Sequence, residues 1–139
     1  MRLSTRTRYG MKAMIDLAIH STKKDPVLLK DICKRQELSL KYLDQIITSL
    51  KQAGLVRNAG GGHSGYVLAR SPVKIYASDI VRALEGGLSV RDCVDDPALC
   101  ENSKTCATRN LWGDLESSIE KSLHVKLSTL AEKQINMDS

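Results

Sequence analysis

A helical segment that runs directly into a glycine-rich hairpin constrains the fold of this chain more than any other feature. The segment "LSLKYLDQIITSLKQAGLV" repeats apolar residues at intervals of three and four, with Ser39 as a candidate N-cap and Gly54 as the stop. A shorter helical segment, "KDICKRQE", precedes it across a tight junction that begins at Glu37. Together the two segments predict a helix-turn-helix.

The next segment, "LVRNAGGGHSGYVLA", has apolar residues at both ends and four glycines between them. This composition predicts a β-hairpin. A helix-turn-helix followed directly by a hairpin is the order of a winged-helix domain. We therefore predict a mainly α fold with a small β-hairpin, in which residues 1–80 form a winged helix-turn-helix domain.

Two further helices are predicted within and beside this domain. Residues 4–20 have apolar residues at helical spacing, with Ser4 as a candidate N-cap. The segment "SPVKIYASDIVRALEG" predicts a helix that is capped by Ser78 and ends at Gly86. Residues 81–107 would then hold the end of this helix and a cysteine-rich loop.

The last part of the chain has one long apolar repeat. Leucine and isoleucine recur every three or four residues over 108–134, which predicts one helix of about twenty-five residues. Such a helix is longer than a compact monomer of this size needs. We interpret it as a dimerisation helix, and the alternative is a last helix folded back on its own domain.

The charge of the chain is divided unevenly. Residues 1–76 contain fourteen Lys and Arg against five Asp and Glu, a net charge of +9, whereas residues 77–139 contain seven against eleven, a net charge of −4. A basic half is typical of a protein that meets a polyanion, and with the predicted domain it indicates double-stranded DNA as the partner. The alternative is a solubilising surface with accidental polarity.

The residues predicted to contact DNA lie in three places. The exposed face of the third helix offers polar groups to base edges and phosphates, and a glutamine there can pair with adenine. Cations near the N-terminus suit phosphate contacts, which supply affinity without sequence information. The predicted contacts are Arg2, Ser39, Lys41, Tyr42, Gln45, Arg57 and His63, with Arg6, Arg8 and Lys12 as further phosphate contacts and Thr48 and Ser49 also on the polar face.

Three of the four cysteines fall within the acidic segment "CVDDPALCENSKTC", where gaps of six and five residues separate Cys93, Cys100 and Cys106. Structural zinc sites commonly have ligand pairs two to four residues apart, so this spacing suits zinc poorly. An iron–sulfur cluster, a zinc ion, a thiol redox switch and no function all stay open on spacing alone. Cys33 lies beside core aliphatics and is interpreted as a small buried apolar residue.

The chain has no run of eighteen apolar residues, and its N-terminus lacks the apolar stretch of a signal peptide. We therefore expect a cytoplasmic protein that does not contact a membrane, in which clustered thiols are metal ligands or redox groups more often than disulfides. No base, nucleophile and orienting group recur in a recognisable arrangement, so we predict that the protein is not an enzyme.

Several of these segments carry a family resemblance. "MRLSTRTRYGMKAMIDLA", "LSLKYLDQIITSLKQAGLV", the hairpin that ends in "GYVL", and the three cysteines followed by "LWGDL" resemble the winged-helix iron–sulfur and redox transcription regulators of the iron–sulfur cluster regulator (IscR) type. The resemblance extends over nearly the whole chain.

The resemblance implies a homodimeric repressor or activator of iron–sulfur cluster biogenesis or of a redox response. It implies that Cys93, Cys100 and Cys106 hold an iron–sulfur cluster, of the 2Fe-2S type, near the dimer helix. It also implies promoter operators as the DNA partner and cluster-assembly scaffold proteins as a further class of partner.

The chain departs from its relatives at the fourth cluster ligand. Arg109 occupies the position at which regulators of the IscR type have a histidine ligand, and an arginine side chain cannot ligate a cluster. A second departure lies in the wing, where Gly60 aligns with the arginine that contacts the minor groove in those regulators. The fourth ligand is unassigned, and the candidates are a small external thiol, water, or one of Asp92, Asp95, Asp96, Glu101 and His124. The alternatives are a cysteine-metabolism or thiol-redox regulator of the same family without a cluster, and an electron-transfer or cluster-carrier protein.

Overall fold

The computed structural model of the chain describes residues 3–88 and 105–139. Six helices and one two-stranded hairpin are present in these ranges, and a 3-10 turn at Pro72–Lys74 follows the hairpin. In chain order the elements are α1 (Thr5–His20), α2 (Leu29–Gln36), α3 (Leu40–Gln52), β1 (Val56–Gly60), β2 (His63–Leu68), α4 (Ala77–Glu85), α5 (Ala107–Ser122) and α6 (Leu127–Asp138). The predicted first three helices and the hairpin are confirmed.

The helix-turn-helix is built by a cap and a left-handed turn. Glu37 adopts φ 56°, which reverses the chain after α2, and the N–H of Leu38 donates to the Cys33 carbonyl at 3.0 Å. The hydroxyl of Ser39 then accepts from the Tyr42 N–H at 3.2 Å and begins α3. The predicted N-cap is therefore confirmed.

A fork of hydrogen bonds fixes α2 against α1. The guanidinium of Arg35 donates to both carboxylate oxygens of Asp16, at 2.9 Å and 2.7 Å, and Gln36 donates to the same carboxylate at 3.2 Å. The side chain of Asp16 is only 1% exposed. A buried carboxylate is stable there because the planar fork of Arg35 satisfies both of its oxygens.

The hairpin joins a third extended segment. Within the hairpin Val56 pairs with Leu68 and Asn58 with Tyr66. Val27, just before α2, exchanges backbone hydrogen bonds with Tyr66 at 2.8 Å and 3.0 Å. Gly65 lies at φ 110°, and a Cβ there would stand 2.9 Å from the Val27 carbonyl oxygen, so this close approach requires glycine.

The core is aliphatic because the chain has no Phe. It is formed by the inward faces of α1, α2, α3 and α4, by Ile75 before α4, by the base of the hairpin and by the first residue of α6. Its fully buried large side chains are Met14, Leu17, Ile32, Leu43, Ile46, Ile47, Leu50, Leu55, Ile75, Ile80, Val81 and Leu127. This arrangement rigidly positions the outward face of α3.

The prediction of one helix over 108–134 is wrong. The helix breaks after Ser122, and α6 begins at Leu127 and packs along α1. The break is made by backbone pairing: the Ala77 N–H donates to the Val125 carbonyl and the Leu127 N–H to the Ile75 carbonyl, both at 2.8 Å. The alternative of a helix folded back on its own domain therefore describes α6, whereas α5 has no buried residue.

The predicted cap of α4 is also wrong. The N-cap is Tyr76, two residues earlier, so the helix begins at Ala77, and the carboxylate of Asp79 accepts from the Tyr76 N–H at 2.8 Å. Ser78 is buried instead, and its N–H donates to the Leu123 carbonyl at 3.0 Å. The predicted end at Gly86 is confirmed by its left-handed backbone, at φ 79°.

None of the described helices is both long and apolar enough to span a membrane. The predicted domain boundaries at residues 80 and 107 stay predictions.

Candidate nucleic-acid interface

Helix α3 has one buried and one exposed face, as a recognition helix requires. Leu43, Ile46, Ile47 and Leu50 are buried in the core. The opposite face is exposed and polar, and it consists of Ser39, Lys41, Asp44, Gln45 and Thr48, with the apolar Leu40 at its start. Of the residues predicted on this face, Ser39, Lys41 and Gln45 are free to meet a groove of DNA in this arrangement.

Tyr42 has a mixed environment. Its ring is half-buried and lies edge-on to the Tyr9 ring of α1, with centroids 6.0 Å apart and an interplanar angle of 88°. The ammonium of Lys12 stands 5.6 Å from the centroid of that Tyr9 ring. Tyr42 therefore joins α3 to α1, and the exposed Lys12 lies beside this junction.

Among the basic residues of α1, Arg6 has a structural contact. It is half-buried, and its guanidinium donates to the hydroxyl of Ser49 near the end of α3. Its Nε is buried without a hydrogen-bond partner in the described part of the chain. Arg8 is exposed, and its guanidinium donates to the hydroxyl of Thr5 at 3.2 Å. The predicted contact Arg2 lies outside the described residues.

The start of α1 is tied to the end of α4 by one carboxylate. Oε1 of Glu85 accepts from the Thr7 hydroxyl at 2.7 Å and from the Ser4 N–H at 2.8 Å. The hydroxyl of Thr7 and then the N–H of Ser4 lower the pKa of Glu85 below its ordinary value, and the positive charge of Arg6 adds to this effect. We call Ser4, Arg6, Thr7 and Glu85 the Glu85 cluster.

The wing places one predicted contact at its surface. Arg57 of β1 is exposed, and its guanidinium donates to the carbonyls of Asn58 and Ala59 at 3.3 Å and 3.5 Å. His63 begins β2, where its backbone pairs with Gly60, and its side chain lies outside what the structure describes. The tip between them is formed by Gly60, Gly61 and Gly62, all at positive φ.

Cys106 is the N-cap residue of α5. Its sulfur lies 3.0 Å from the Thr108 hydroxyl. This hydrogen bond, together with the backbone N–H groups of Thr108 and Arg109, lowers the pKa of the Cys106 thiol. Cys93 and Cys100 lie outside the described residues. Cys106 therefore starts α5 with a thiol whose anionic form is favoured.

The sequence matches the Rrf2 family, described as iron-dependent transcriptional regulators, over residues 3–133. The chain belongs to the Rrf2 family. It is 35% identical to protein rrf2 of Nitratidesulfovibrio vulgaris over all of this chain and 89% of that protein.

Two solved structures show the same Rrf2 architecture. One is CymR (YrzC), the global cysteine regulator of B. subtilis, which is 36% identical with a TM-score of 0.77 and covers 96% of this chain and 98% of its own. The other is T. potens IscR, which is 38% identical with a TM-score of 0.73 and covers 96% of this chain and 88% of its own. They confirm the predicted winged-helix fold and the resemblance to regulators of the IscR type.

As an Rrf2 protein the chain is a DNA-binding transcription regulator, and the prediction that it is not an enzyme is confirmed. The individual DNA contacts and the three cysteine ligands stay predictions. Cys33 is half-buried against the core, and burial raises the pKa of its thiol, which agrees with its interpretation as an apolar core residue.

The described residues restrict the search for a fourth cluster ligand. His124 lies beyond the far end of α5, a sixteen-residue helix of about 24 Å that begins directly after Cys106. There its ring stacks on that of Tyr76, with centroids 4.2 Å apart. His124 therefore cannot share a cluster with Cys106 of its own chain. Asp92, Asp95, Asp96 and Glu101 lie outside the described residues, within which no three metal-binding side chains come together.

Sequence reasoning missed the Glu85 cluster and the bond between Arg6 and Ser49. In the cluster, 78 residues separate Thr7 from Glu85 and 81 separate Ser4 from Glu85. Arg6 and Ser49 are 43 residues apart. The sequence does place Ser49 on the polar face of the third helix, where it can accept a hydrogen bond. Spacing within one helix does not identify a partner that is so distant in the chain.

Proposed function

We propose that this Rrf2 protein regulates transcription in response to iron–sulfur or redox status, through an iron–sulfur cluster held by Cys93, Cys100 and Cys106. The observation that carries the proposal is the position of Cys106 at the start of α5, with its thiol hydrogen-bonded to Thr108. The similarity to T. potens IscR supports it.

The donor set fits such a cluster. Iron–sulfur clusters are held by thiolates, and the environment of Cys106 favours its thiolate. When bound, a cluster of the proposed 2Fe-2S type supplies a redox-active group whose presence depends on iron and sulfide supply. His124 of the same chain is too distant to be the fourth ligand, so the candidates that stay open are Asp92, Asp95, Asp96, Glu101, water and a small external thiol.

The DNA-binding surface acts through α3 in the major groove. Lys41 and Gln45 would reach base edges or phosphates, while Arg8 and Lys12 of α1 would contact phosphates. Arg57 would approach the backbone beside the wing. In this arrangement the N-terminal cations provide affinity and α3 provides sequence recognition.

The Glu85 cluster links the cysteine segment to this surface. Residues 89–104 follow α4 within a few residues of Glu85, whose carboxylate holds the first turn of α1. Arg6 in that turn bonds to Ser49 of α3. We propose that a bound cluster biases the end of α4 and thereby the position of α3, which is a two-state shift with different DNA affinities.

The proposed assembly is a homodimer formed through α5. Leu111 and Leu115 are 56% and 36% exposed on this helix. Large apolar side chains in a row on a helix with no buried residue indicate a surface that a second copy covers. Each protomer of such a dimer would place its α3 in one half-site of the operator.

Metal analysis of anaerobically purified protein tests the cluster proposal. We expect iron and inorganic sulfide in the wild-type protein, brown colour, and loss of both in Cys106→Ala. Cys33→Ala is the matched control, because Cys33 packs against the core and should leave the iron content unchanged. Wild-type protein that binds promoter DNA but holds no iron after reconstitution with iron and sulfide would overturn the cluster proposal alone.

A thiol-redox regulator without a cluster is the second candidate. The similarity to the global cysteine regulator CymR favours it, and the lowered pKa of Cys106 suits a thiol that is oxidised reversibly. Metal-free protein is treated with peroxide and then with dithiothreitol while operator binding is measured. DNA affinity that changes reversibly in the wild type but not in Cys106→Ala supports this candidate, and unchanged affinity contradicts it.

A further inference from the structure

Leu40 is a large apolar residue on the exposed face of α3. It is the first residue of the helix and 55% exposed, whereas Leu43 and Leu50 of the same helix are fully buried. Leu38, before the Ser39 cap, is partly buried and packs against the core, to which Leu43 also belongs. The start of α3 is thus fixed by Leu38 and Ser39, and Leu40 contributes little to the fold.

The neighbours of Leu40 are those of a DNA-reading turn. Ser39 and Lys41 on either side are exposed, and so is Asp44, one helical turn further along. The N-terminal residues of a recognition helix are the ones that approach base edges in the major groove. Of the groups that base pairs display there, only the C5-methyl of thymine is apolar.

We infer that Leu40 reads thymine, by packing its side chain against the C5-methyl group of a thymine in each half-site. The inference rests on the proposed docking of α3 in the major groove. It adds Leu40 to the residues that determine which base pairs the protein prefers. An exposed leucine there loses its contact with water only when the groove offers an apolar partner. At this position cytosine, which has no methyl group, is disfavoured.

Replacement of thymine by deoxyuridine isolates this contact, because it removes the methyl group and leaves base pairing intact. An operator is first selected from random DNA with the full-length wild-type protein. Each thymine is then replaced singly, and the Kd is measured at constant salt. We expect one position in each half-site where the wild type binds about fourfold more weakly, as for loss of one buried methyl-sized group.

The Leu40→Ala variant loses the contact in both half-sites, so it should bind the thymine operator about as weakly as the wild type binds an operator with deoxyuridine at that position in both half-sites. It should not discriminate between thymine and deoxyuridine. Val73→Ala is the matched control, since Val73 is 49% exposed on the 3-10 turn; it should keep the fourfold difference. Lys41→Ala should weaken binding to both probes equally. Circular dichroism melts verify that each variant is folded.

Two outcomes overturn the inference, and they differ. If the wild type binds the selected operator tightly and no deoxyuridine replacement weakens it, Leu40 does not read thymine, while DNA binding through α3 stands. If Leu40→Ala keeps the wild-type discrimination, another residue makes the contact. Failure to select any DNA sequence would instead contradict the docking of α3 on which the inference rests.

Discussion

Glu85 shows how one side chain can hold two distant parts of the chain together. Its carboxylate accepts hydrogen bonds from Ser4 and Thr7, the residues that cap and begin α1. A negative charge at a helix N-terminus is also favoured by the helix dipole. Because the side chain is largely exposed, this contribution is modest and sensitive to pH.

The pH dependence of stability should report this charge. Since the pKa of Glu85 in the folded chain lies below the unfolded value of about 4.3, the carboxylate stabilises the fold above that value. The contribution is lost as the pH falls through the lower, folded pKa. We therefore expect the stability of the wild type to decrease more steeply below about pH 4.5 than that of Glu85→Gln, as measured by urea unfolding from pH 7 to pH 3.

The matched control is Glu132→Gln, which removes an exposed carboxylate on α6. It should leave the acid slope of the wild type unchanged. Parallel curves for the wild type and Glu85→Gln would show that the carboxylate of Glu85 does not stabilise the start of α1.

Among the elements, α5 has the least contact with the rest of the described chain. It has no buried residue, and Arg82 of α4 reaches it through an ion pair with Glu120. Its first turn carries Cys106 and its middle carries the exposed leucines. The proposed cluster ligand and the proposed dimer surface would therefore lie on the same helix. That helix contacts the winged domain near its C-terminal end.

Charged substitutions on α5 test its role in assembly. We expect Leu111→Asp combined with Leu115→Asp to convert a dimer into a monomer, because four carboxylates without partners, two from each copy, would be buried in the interface. Light scattering after size-exclusion chromatography gives the mass. Val73→Asp, which places the same charge at an exposed valine elsewhere, should leave the mass unchanged. A wild-type monomer, or a double variant that stays dimeric, would contradict the proposal.

Local patterns predicted α1, α2, α3 and the hairpin because these elements are defined by caps, apolar spacing and glycine. The junction between α5 and α6 could not be found this way. The apolar repeat continues across this junction, because Leu127 lies at the expected spacing. The side chain of Leu127 is, however, buried against the winged domain. The break depends on hydrogen bonds to Ile75 and Ala77, about fifty residues away in the chain.

For the candidate site the sequence predicted the exposed positions Ser39, Lys41 and Gln45, because a helix period separates them from the core. It did not predict that Arg6 would bond to Ser49 or that Tyr42 would pack on Tyr9. Leu40 lies at the helical spacing of the buried apolar residues, yet its place in the first turn leaves it exposed. Such contacts depend on how helices cross, which spacing within one helix does not specify.

At the scale of the whole molecule, charge is divided between the two parts of the sequence. The first 76 residues carry a net charge of +9 and contain α3 and the wing. Because DNA binding releases counterions, the logarithm of the association constant falls linearly with the logarithm of the salt concentration. The slope is about −0.9 for each phosphate contact.

Operator affinity should therefore fall steeply between 50 and 200 mM salt. Replacement of a residue that contacts phosphate, such as Arg8→Ala, should make the slope smaller by about one for each such residue that engages DNA. Fluorescence anisotropy over a salt series measures it. Lys133→Ala on α6 removes an exposed cation outside the proposed surface and should keep the slope. Equal slopes for all three proteins would remove Arg8 from the interface.

The pairing of residues 125–127 with residues 75–77 has a consequence for modularity. The chain leaves the winged fold at Gly86 and returns at Leu123, whose carbonyl bonds to Ser78 in the first turn of α4. Gly86 follows the last residue of α4 and Leu123 contacts the first turn of that helix, which has nine residues and is about 13 Å long. Helix α5 therefore lies, along the chain, between two segments that pack into the same winged fold. Evolution can lengthen or exchange a helix so placed without redesigning the surrounding DNA-binding scaffold.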